Sequence, residues 1–268
     1  MIAVVDYCKG NLKSVERGLR AVGGDAFITD NPEDIARAEA VVLPGVGAFA
    51  DASQTMIKTG QMRAIRVAIE AGKPFLGICL GEHLLFEKGT EGASHVRTES
   101  GAVTSVESGA ESSAVAEGAD QGVTGGASHV GAETEGVQSE GTQSEGAQAT
   151  SEGLGLLKGT VEKMPEFDEA QRRYKIPHVG WNSIEFDTSL ACPLLAGIEP
   201  GEHFYFTHSY IAPQTSATIA TTTHSITFPS VVRVNDVVYG VQFHPEKSSD
   251  AGAQVLKNFL AIVESQKA

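Results

Sequence analysis

The chain has 268 residues, room for one large domain or two small ones. It carries 34 acidic against 20 basic residues, a formal charge of −14 that argues against a nucleic-acid-binding face. Hydrophobic residues make up 41% and aromatics only 6%, which suits an aliphatic α/β core.

Residues 1–6 begin as a short apolar run, and Leu12, Val15, Leu19 and Val22 then recur at helical spacing. A second β-type run, 40–43, ends in Pro44-Gly45-Val46-Gly47. Residues 61–71 read as a helix stopped by Pro74, and 75–78 as another buried strand, with a helix expected over about 80–88. Strands alternating with helices imply an open, mostly parallel sheet covered by helices on both faces.

From about residue 92 the character changes. Gly, Ala, Ser, Thr, Glu and Gln dominate, and Phe, Tyr, Trp, Leu and Ile are absent up to residue 151. Gly-Ala-Ser-His-Val occurs at 92–96 and 126–130, and Ser-Glu-Gly at 139–141, 144–146 and 151–153. Eleven acidic residues stand between Glu91 and Glu152 against one base, Arg97, so most of the net charge sits here and says little about a substrate. Such a stretch buries too little apolar surface to offset the entropy of ordering its backbone. The expectation is a disordered, low-complexity acidic insertion over 93–152, interrupting one domain made of 1–92 and 153–268. A repetitive β-structure held by the valines is the alternative, but its period is irregular and it has no bulky core residues.

Globular patterning returns after Gly153. Strands are expected at 179–186, 203–210, 217–223, 230–234 and 237–243, and a closing helix at 251–263 with Val255, Leu256, Phe259 and Leu260 on one face. Cys8, Cys79 and Cys192 are odd in number and far apart, which argues against a disulfide framework or a structural zinc site and for a reducing compartment. Residues 1–6 are too short and acidic to read as a secretory signal, and no apolar run approaches membrane-spanning length. A cytoplasmic location is expected.

Three constellations can carry chemistry. Gly77-Ile78-Cys79-Leu80-Gly81 follows a strand directly and has the glycine-flanked pattern of a nucleophile on a sharp strand-to-helix turn. A helix beginning at Leu80 would point its partly positive end at the sulfur and favour thiolate. Taken alone, the same pattern describes a buried cysteine in a tight turn. Gly240-Val241-Gln242-Phe243-His244-Pro245-Glu246-Lys247 places a histidine at a strand end with a carboxylate two residues on, the base and orienter that a cysteine nucleophile needs. A solvated histidine near a surface glutamate would look the same. Pro44-Gly45-Val46-Gly47 lies at another strand end, where its N–H groups and that of Leu80 can form an oxyanion hole. Ligands of open parallel sheets bind beyond these carboxyl ends.

In this order the three pieces resemble the class I (triad) glutamine amidotransferase family, of flavodoxin-like α/β fold. Within it the chain is similar to the HisH-type glutaminase subunits of imidazole glycerol phosphate synthase in histidine biosynthesis. The finer likeness rests on Asp6-Tyr7 with Gly10-Asn11-Leu12, Pro177-His178-Val179-Gly180-Trp181-Asn182, Tyr205-Phe206 with His208-Ser209-Tyr210, and Phe243-His244-Pro245-Glu246-Lys247-Ser248. The resemblance implies Cys79 as nucleophile, His244 as acid/base and Glu246 as its orienter. It implies Gly47 and Leu80 as oxyanion donors, and His83, Glu91, His208 and Ser209 around the glutamine. It implies glutamine hydrolysis through a cysteine thioester, with ammonia passed to a HisF-type (β/α)₈ cyclase in a heterodimer, and no metal or organic cofactor.

Two departures stand out. The family's Cys-Leu-Gly-Met-Gln is Cys79-Leu80-Gly81-Glu82-His83 here, which adds an acid in the first helical turn that favours the helix and opposes thiolate. The family's Tyr-Gly-Met-Gly-Asn is Tyr7-Cys8-Lys9-Gly10-Asn11, which sets a side chain where a tight loop asks for glycine. Two other functions fit the same residues: a glutaminase of this fold serving another pathway, and a non-catalytic scaffold that regulates a synthase.

Overall fold

The computed structural model describes residues 1–93 and 149–267. The first part runs β1 (Ile2–Val5), α1 (Leu12–Ala21), β2 (Ala26–Thr29), α2 (Pro32–Arg37), β3 (Ala40–Gly45), α3 (Phe49–Thr59), α4 (Gln61–Glu70), β4 (Phe75–Cys79), α5 (Leu80–His83) and β5 (Phe86–Gly89). The second part holds β6 (Ser151–Glu152), β7 (Leu157–Lys163), β8 (His178–Ser183), β9 (Glu185–Phe186), β10 (His203–His208) and β11 (Tyr210–Ile211). It closes with β12 (Thr218–Thr223), β13 (Thr227–Arg233), β14 (Val238–Val241) and α6 (Ser249–Ser265).

The central sheet has eight strands in the order β2-β1-β3-β4-β14-β13-β12-β9. Its first five are mutually parallel and the rest pair antiparallel. The parallel part has the flavodoxin-like order. Its central strands are short apolar runs without alternation because both faces are covered. On one face Ile2, Val4, Ala40, Val42, Leu76 and Ile78 pack with Val15 and Leu19 of α1 and with Val255 and Phe259 of α6. On the other, Val5, Val41, Leu43 and Phe75 pack with Ile35 of α2, Met56 of α3 and Ile65 of α4. The expected sheet with helices on both faces is therefore present, lengthened by an antiparallel extension. A β8–β10 ribbon and a small sheet, β11-β7-β5-β6, complete the described fold.

The helix expected over 80–88 ends after a single turn. Leu84, Leu85 and Phe86 are fully buried, and their backbone turns into the small sheet. The carbonyls of Leu84 and Leu85 accept from the N–H groups of Leu154 and of Leu156 and Leu157, at 2.6, 2.9 and 3.0 Å. Tertiary pairing thus overrides the helical preference of a leucine-rich run. β2, α2, α3 and β7 had no counterpart in the sequence reading.

The stretch expected to be a disordered insertion, 93–152, lies almost wholly outside the described residues. Its last two residues, Ser151–Glu152, form β6 opposite Gly89 and Lys88, so ordered pairing resumes before the expected boundary. The Arg66 guanidinium holds the next two carbonyls, with Nη2 2.8 Å from Gly153 O and Nε 3.1 Å from Leu154 O. Among the described residues no helix is long and apolar enough to cross a membrane.

Candidate active site

β3, β4 and β14 are neighbours in the sheet, so their carboxyl ends open onto one place. In register, Gly45 lies beside Cys79 and Ile78 beside Val241. The Gly-rich loop, the cysteine and the histidine, far apart in sequence, are brought together by this strand order.

Cys79 ends β4 with φ 55° and ψ −106°, a strained conformation for a residue with a Cβ. The turn is held closed by two glycines. A Cβ on Gly77 would sit 2.4 Å from the Gly81 carbonyl oxygen, and one on Gly81 only 1.8 Å from that of Leu43. The backbone doubles back more tightly than any side chain allows, and this projects the thiol off the sheet edge. The residue is buried, 6% exposed, and its sulfur lies 3.9 Å from the Thr207 carbonyl oxygen.

His244 follows β14 and is fixed at both ends. Its backbone N–H donates to Tyr205 O at 2.9 Å, and its carbonyl accepts from Ser248 Oγ at 2.7 Å. Nδ1 donates to Glu246 Oε1 at 2.9 Å, and the two side chains are only 3% and 1% exposed. This fixes the tautomer, leaving Nε2 without a hydrogen-bond partner among the described residues and beside Cys79. Burial disfavours the imidazolium, but the Cys79 sulfur and the Glu246 carboxylate outweigh it and raise the His244 pKa to about 9. The pair is set to hold a proton next to the Cys79 sulfur.

In front of the thiol lies a cavity of about 240 Å³. It is smaller than the roughly 300–1,000 Å³ of sites for drug-sized ligands, and suits a molecule of amino-acid size. Cys79, Gly47, Leu80, His83, Glu91, His208 and Ser209 all line it, so the structure gathers every substrate and oxyanion candidate. His244 reaches the cysteine from the β14 side with Glu246 behind it, and neither is among the lining residues. Val46, Pro177, Thr207 and Tyr210 complete the walls.

A family model described as glutamine amidotransferase class-I matches residues 3–263. The chain belongs to that family. The imidazole glycerol phosphate synthase subunit HisH of Caldanaerobacter subterraneus subsp. tengcongensis is 38% identical over 266 residues, spanning 98% of this chain and 99% of that protein. The protein of the same name from Bacillus licheniformis is 35% identical, spanning 100% and 99%. Among solved structures, a glutamine amidotransferase crystal structure aligns with TM-score 0.57 and 15% identity over 98% of this chain and 100% of that one. PurLQS from Thermotoga maritima aligns with TM-score 0.55 and 15% identity over 100% and 98%. These two likenesses concern the fold.

Within this amidotransferase the substrate candidates differ in what they can offer. His208 has no ring nitrogen to spare. Its Nδ1 donates to Tyr210 O at 2.9 Å, and its Nε2 accepts from His178 Nδ1 at 3.1 Å, so it gives the cavity a ring face. The Glu91 carboxyl meets the Phe49 backbone N–H at the start of α3, and burial, its largest influence, raises its pKa. His83 Nε2 is 2.8 Å from Gln242 Oε1. Ser209 stands at the wall, with its carbonyl taken by Met164 N–H at 2.8 Å.

The departures also resolve. Cys8 takes φ 69°, so the side chain does sit in the left-handed region, with its N–H donating to Asp6 Oδ1 at 2.7 Å. Glu82 was expected to present a charge in the first helical turn. Instead it is fully buried, and neither carboxyl oxygen has a partner among the described residues. Burial first, and Cys79 second, push its pKa well above the carboxylate range. Its burial therefore opposes the charge that the sequence placed at the helix end beside Cys79.

Sequence reasoning gave no role to Gln242 or Tyr7. Tyr7 is buried, with its hydroxyl 3.5 Å from Val46 O, and braces the loop. The available signal for Gln242 was a lone amide inside an otherwise apolar strand.

Proposed function

We propose that this amidotransferase is the glutaminase subunit of an imidazole glycerol phosphate synthase in histidine biosynthesis, working in the cytoplasm. The observation that carries the chemistry is the buried His244–Glu246 pair set against a cysteine on a strained elbow. The pathway is supported by relatives of that name that align over nearly their whole length.

The Cys79 thiolate attacks the side-chain carboxamide carbon of glutamine. The N–H groups of Gly47 and Leu80 receive the developing oxyanion. The tetrahedral intermediate collapses, the C–N bond breaks, and the His244 imidazolium gives its Nε2 proton to the departing ammonia. The neutral imidazole then takes a proton from water, which attacks the γ-glutamyl thioester. Glutamate leaves, and the proton returns to the pair. Glu246 keeps Nε2 facing the sulfur throughout.

Ammonia released into solvent at neutral pH is mostly protonated and no longer nucleophilic. A HisF-type (β/α)₈ cyclase, docked as a heterodimer, receives it before that happens. No metal or organic cofactor enters the scheme.

The test is a glutaminase assay with and without the cyclase. Slow hydrolysis by the isolated chain, rising when the cyclase and its ligand are added, is expected, because the loop at Gly47 is then reset by its neighbour. Full activity of the chain alone, or no complex with the cyclase, overturns the pathway assignment. A glutaminase of another pathway would pair with a different synthase.

A further inference from the structure

Gln242 directly follows β14, two residues before His244, and is fully buried. Its backbone N–H donates to Ser230 O at 3.0 Å, which fixes the main chain. Its side-chain Nε2 lies 3.6 Å from Cys79 Sγ, within reach of a hydrogen bond to sulfur. Its Oε1 lies 2.8 Å from His83 Nε2. The amide therefore bridges the imidazole of α5 and the sulfur at the end of β4.

The chemistry of the ends fixes its direction. A thiolate accepts and cannot donate, so the NH₂ group has to face the sulfur. The amide oxygen then faces His83 and needs a donor, so His83 carries its proton on Nε2. Nδ1 is left bare, and it has no hydrogen-bond partner among the described residues. Burial, the largest influence on His83, lowers its pKa to about 4, so the ring stays neutral over the working range. Gln242 is not among the residues that line the cavity, so it approaches the sulfur from another side than the substrate does.

We propose that Gln242 is a positioning residue that donates an N–H to the Cys79 thiolate, and that His83 sets the orientation of its amide. The proposal rests on Cys79 being the nucleophile. It gives the unusual histidine at position 83 a task in the chain of donors behind the sulfur. His244 and Gln242 then hold the sulfur from two sides, one with a transferable proton and one with a fixed N–H. The other titratable groups near Cys79 are Glu246 behind His244, Glu82 on α5, Tyr7 after β1, and, lining the same cavity, His208 on β10, Tyr210 on β11 and Glu91 after β5.

The test is the pH dependence of Cys79 alkylation by iodoacetamide, measured without glutamine, together with steady-state glutaminase kinetics of the cyclase complex. Gln242→Met keeps the length of the side chain and removes the donor. We expect its alkylation midpoint to rise by about one pH unit, about tenfold less thiolate at neutral pH. kcat should fall about tenfold, with KM for glutamine within about twofold. His83→Leu should shift the midpoint the same way by less, and His83→Gln, which can still donate to Oε1, should restore it. An unchanged midpoint in Gln242→Met, or a raised KM at unchanged kcat, overturns the proposal. If Gln242→Met does not fold, equal midpoints in His83→Leu and His83→Gln overturn it instead. The parent assignment fails separately, if Cys79→Ala still hydrolyses glutamine.

Discussion

Gly81→Ala isolates what the closed elbow contributes. Its new Cβ would lie 1.8 Å from Leu43 O and 2.9 Å from Leu43 C, both backbone atoms that no rotamer change can move. The turn has to open by roughly 1 Å, and a displacement of that size at reacting groups costs about 10²-fold in rate. The overpacking itself should cost about 1–3 kcal/mol of stability. Gly72→Ala is the matched control, since its φ is 77° and a Cβ there meets nothing within 4 Å. It should lose about 1–2 kcal/mol to backbone strain alone, with unchanged kcat. Urea unfolding gives the stabilities, and glutamate release by the cyclase complex gives the rates. If Gly81→Ala retains kcat within about threefold of wild type, or if both variants lose rate equally, the elbow does not position the thiol.

Cys79→Ala should abolish glutamine-dependent synthesis by the complex but spare synthesis from added ammonium salts, read by product formation with each nitrogen source. Glu246→Gln should keep more glutaminase activity than His244→Ala, because it removes an orienting charge and leaves the base. The raised His244 pKa of about 9 also predicts a stability profile. Its contribution, on the order of 3 kcal/mol, is fully present below about pH 6.5 and is lost as pH rises through about 9. Urea midpoints of the wild type should therefore fall over that window more steeply than those of Glu246→Gln, and parallel profiles would contradict the coupling. Deleting 94–148 should leave glutaminase activity intact. Gly89 and Ser151 face each other across β5 and β6, so a turn of about six residues closes the gap with about 2 kcal/mol less loop entropy. Loss of folding in that variant would show that the segment belongs to a core.

The parallel half of the sheet was legible because its strands are apolar runs that end in recognisable turns: 75–78 before Cys79, and 40–43 before Pro44-Gly45. The meeting of Cys79, His244 and Glu246 was legible because each sits in a local pattern that a cysteine nucleophile with its base would demand. What escaped the sequence depends on partners far along the chain. Leu84-Leu85-Phe86 suits a helix until its carbonyls are claimed by Leu154, Leu156 and Leu157. Glu82 looks like a surface acid in the first turn of a helix, and only the packing of β14 and α5 shows it to be buried; a Cβ on Gly240 would meet its Cγ at 2.7 Å. His208 lines the cavity as expected, but only the structure shows His178 and Tyr210 occupying both of its ring nitrogens. Periodicity reports which face of an element is apolar, and it carries no information about which polar atoms meet across elements.

β14, which delivers His244, inserts between β4, which delivers Cys79, and β13, itself made late in the chain. A nascent polypeptide emerging from the ribosome therefore has the Cys79 thiol long before it has the His244 imidazole that comes to lie beside it. Until synthesis has passed His244 and the last parallel strand has docked, no imidazole stands beside the Cys79 sulfur. Long-range parallel pairing of this kind is slow to form. Under the mechanism proposed for Cys79 and His244, glutamine consumption is tied to completion of the fold, and a truncated or stalled product would be silent without any inhibitor.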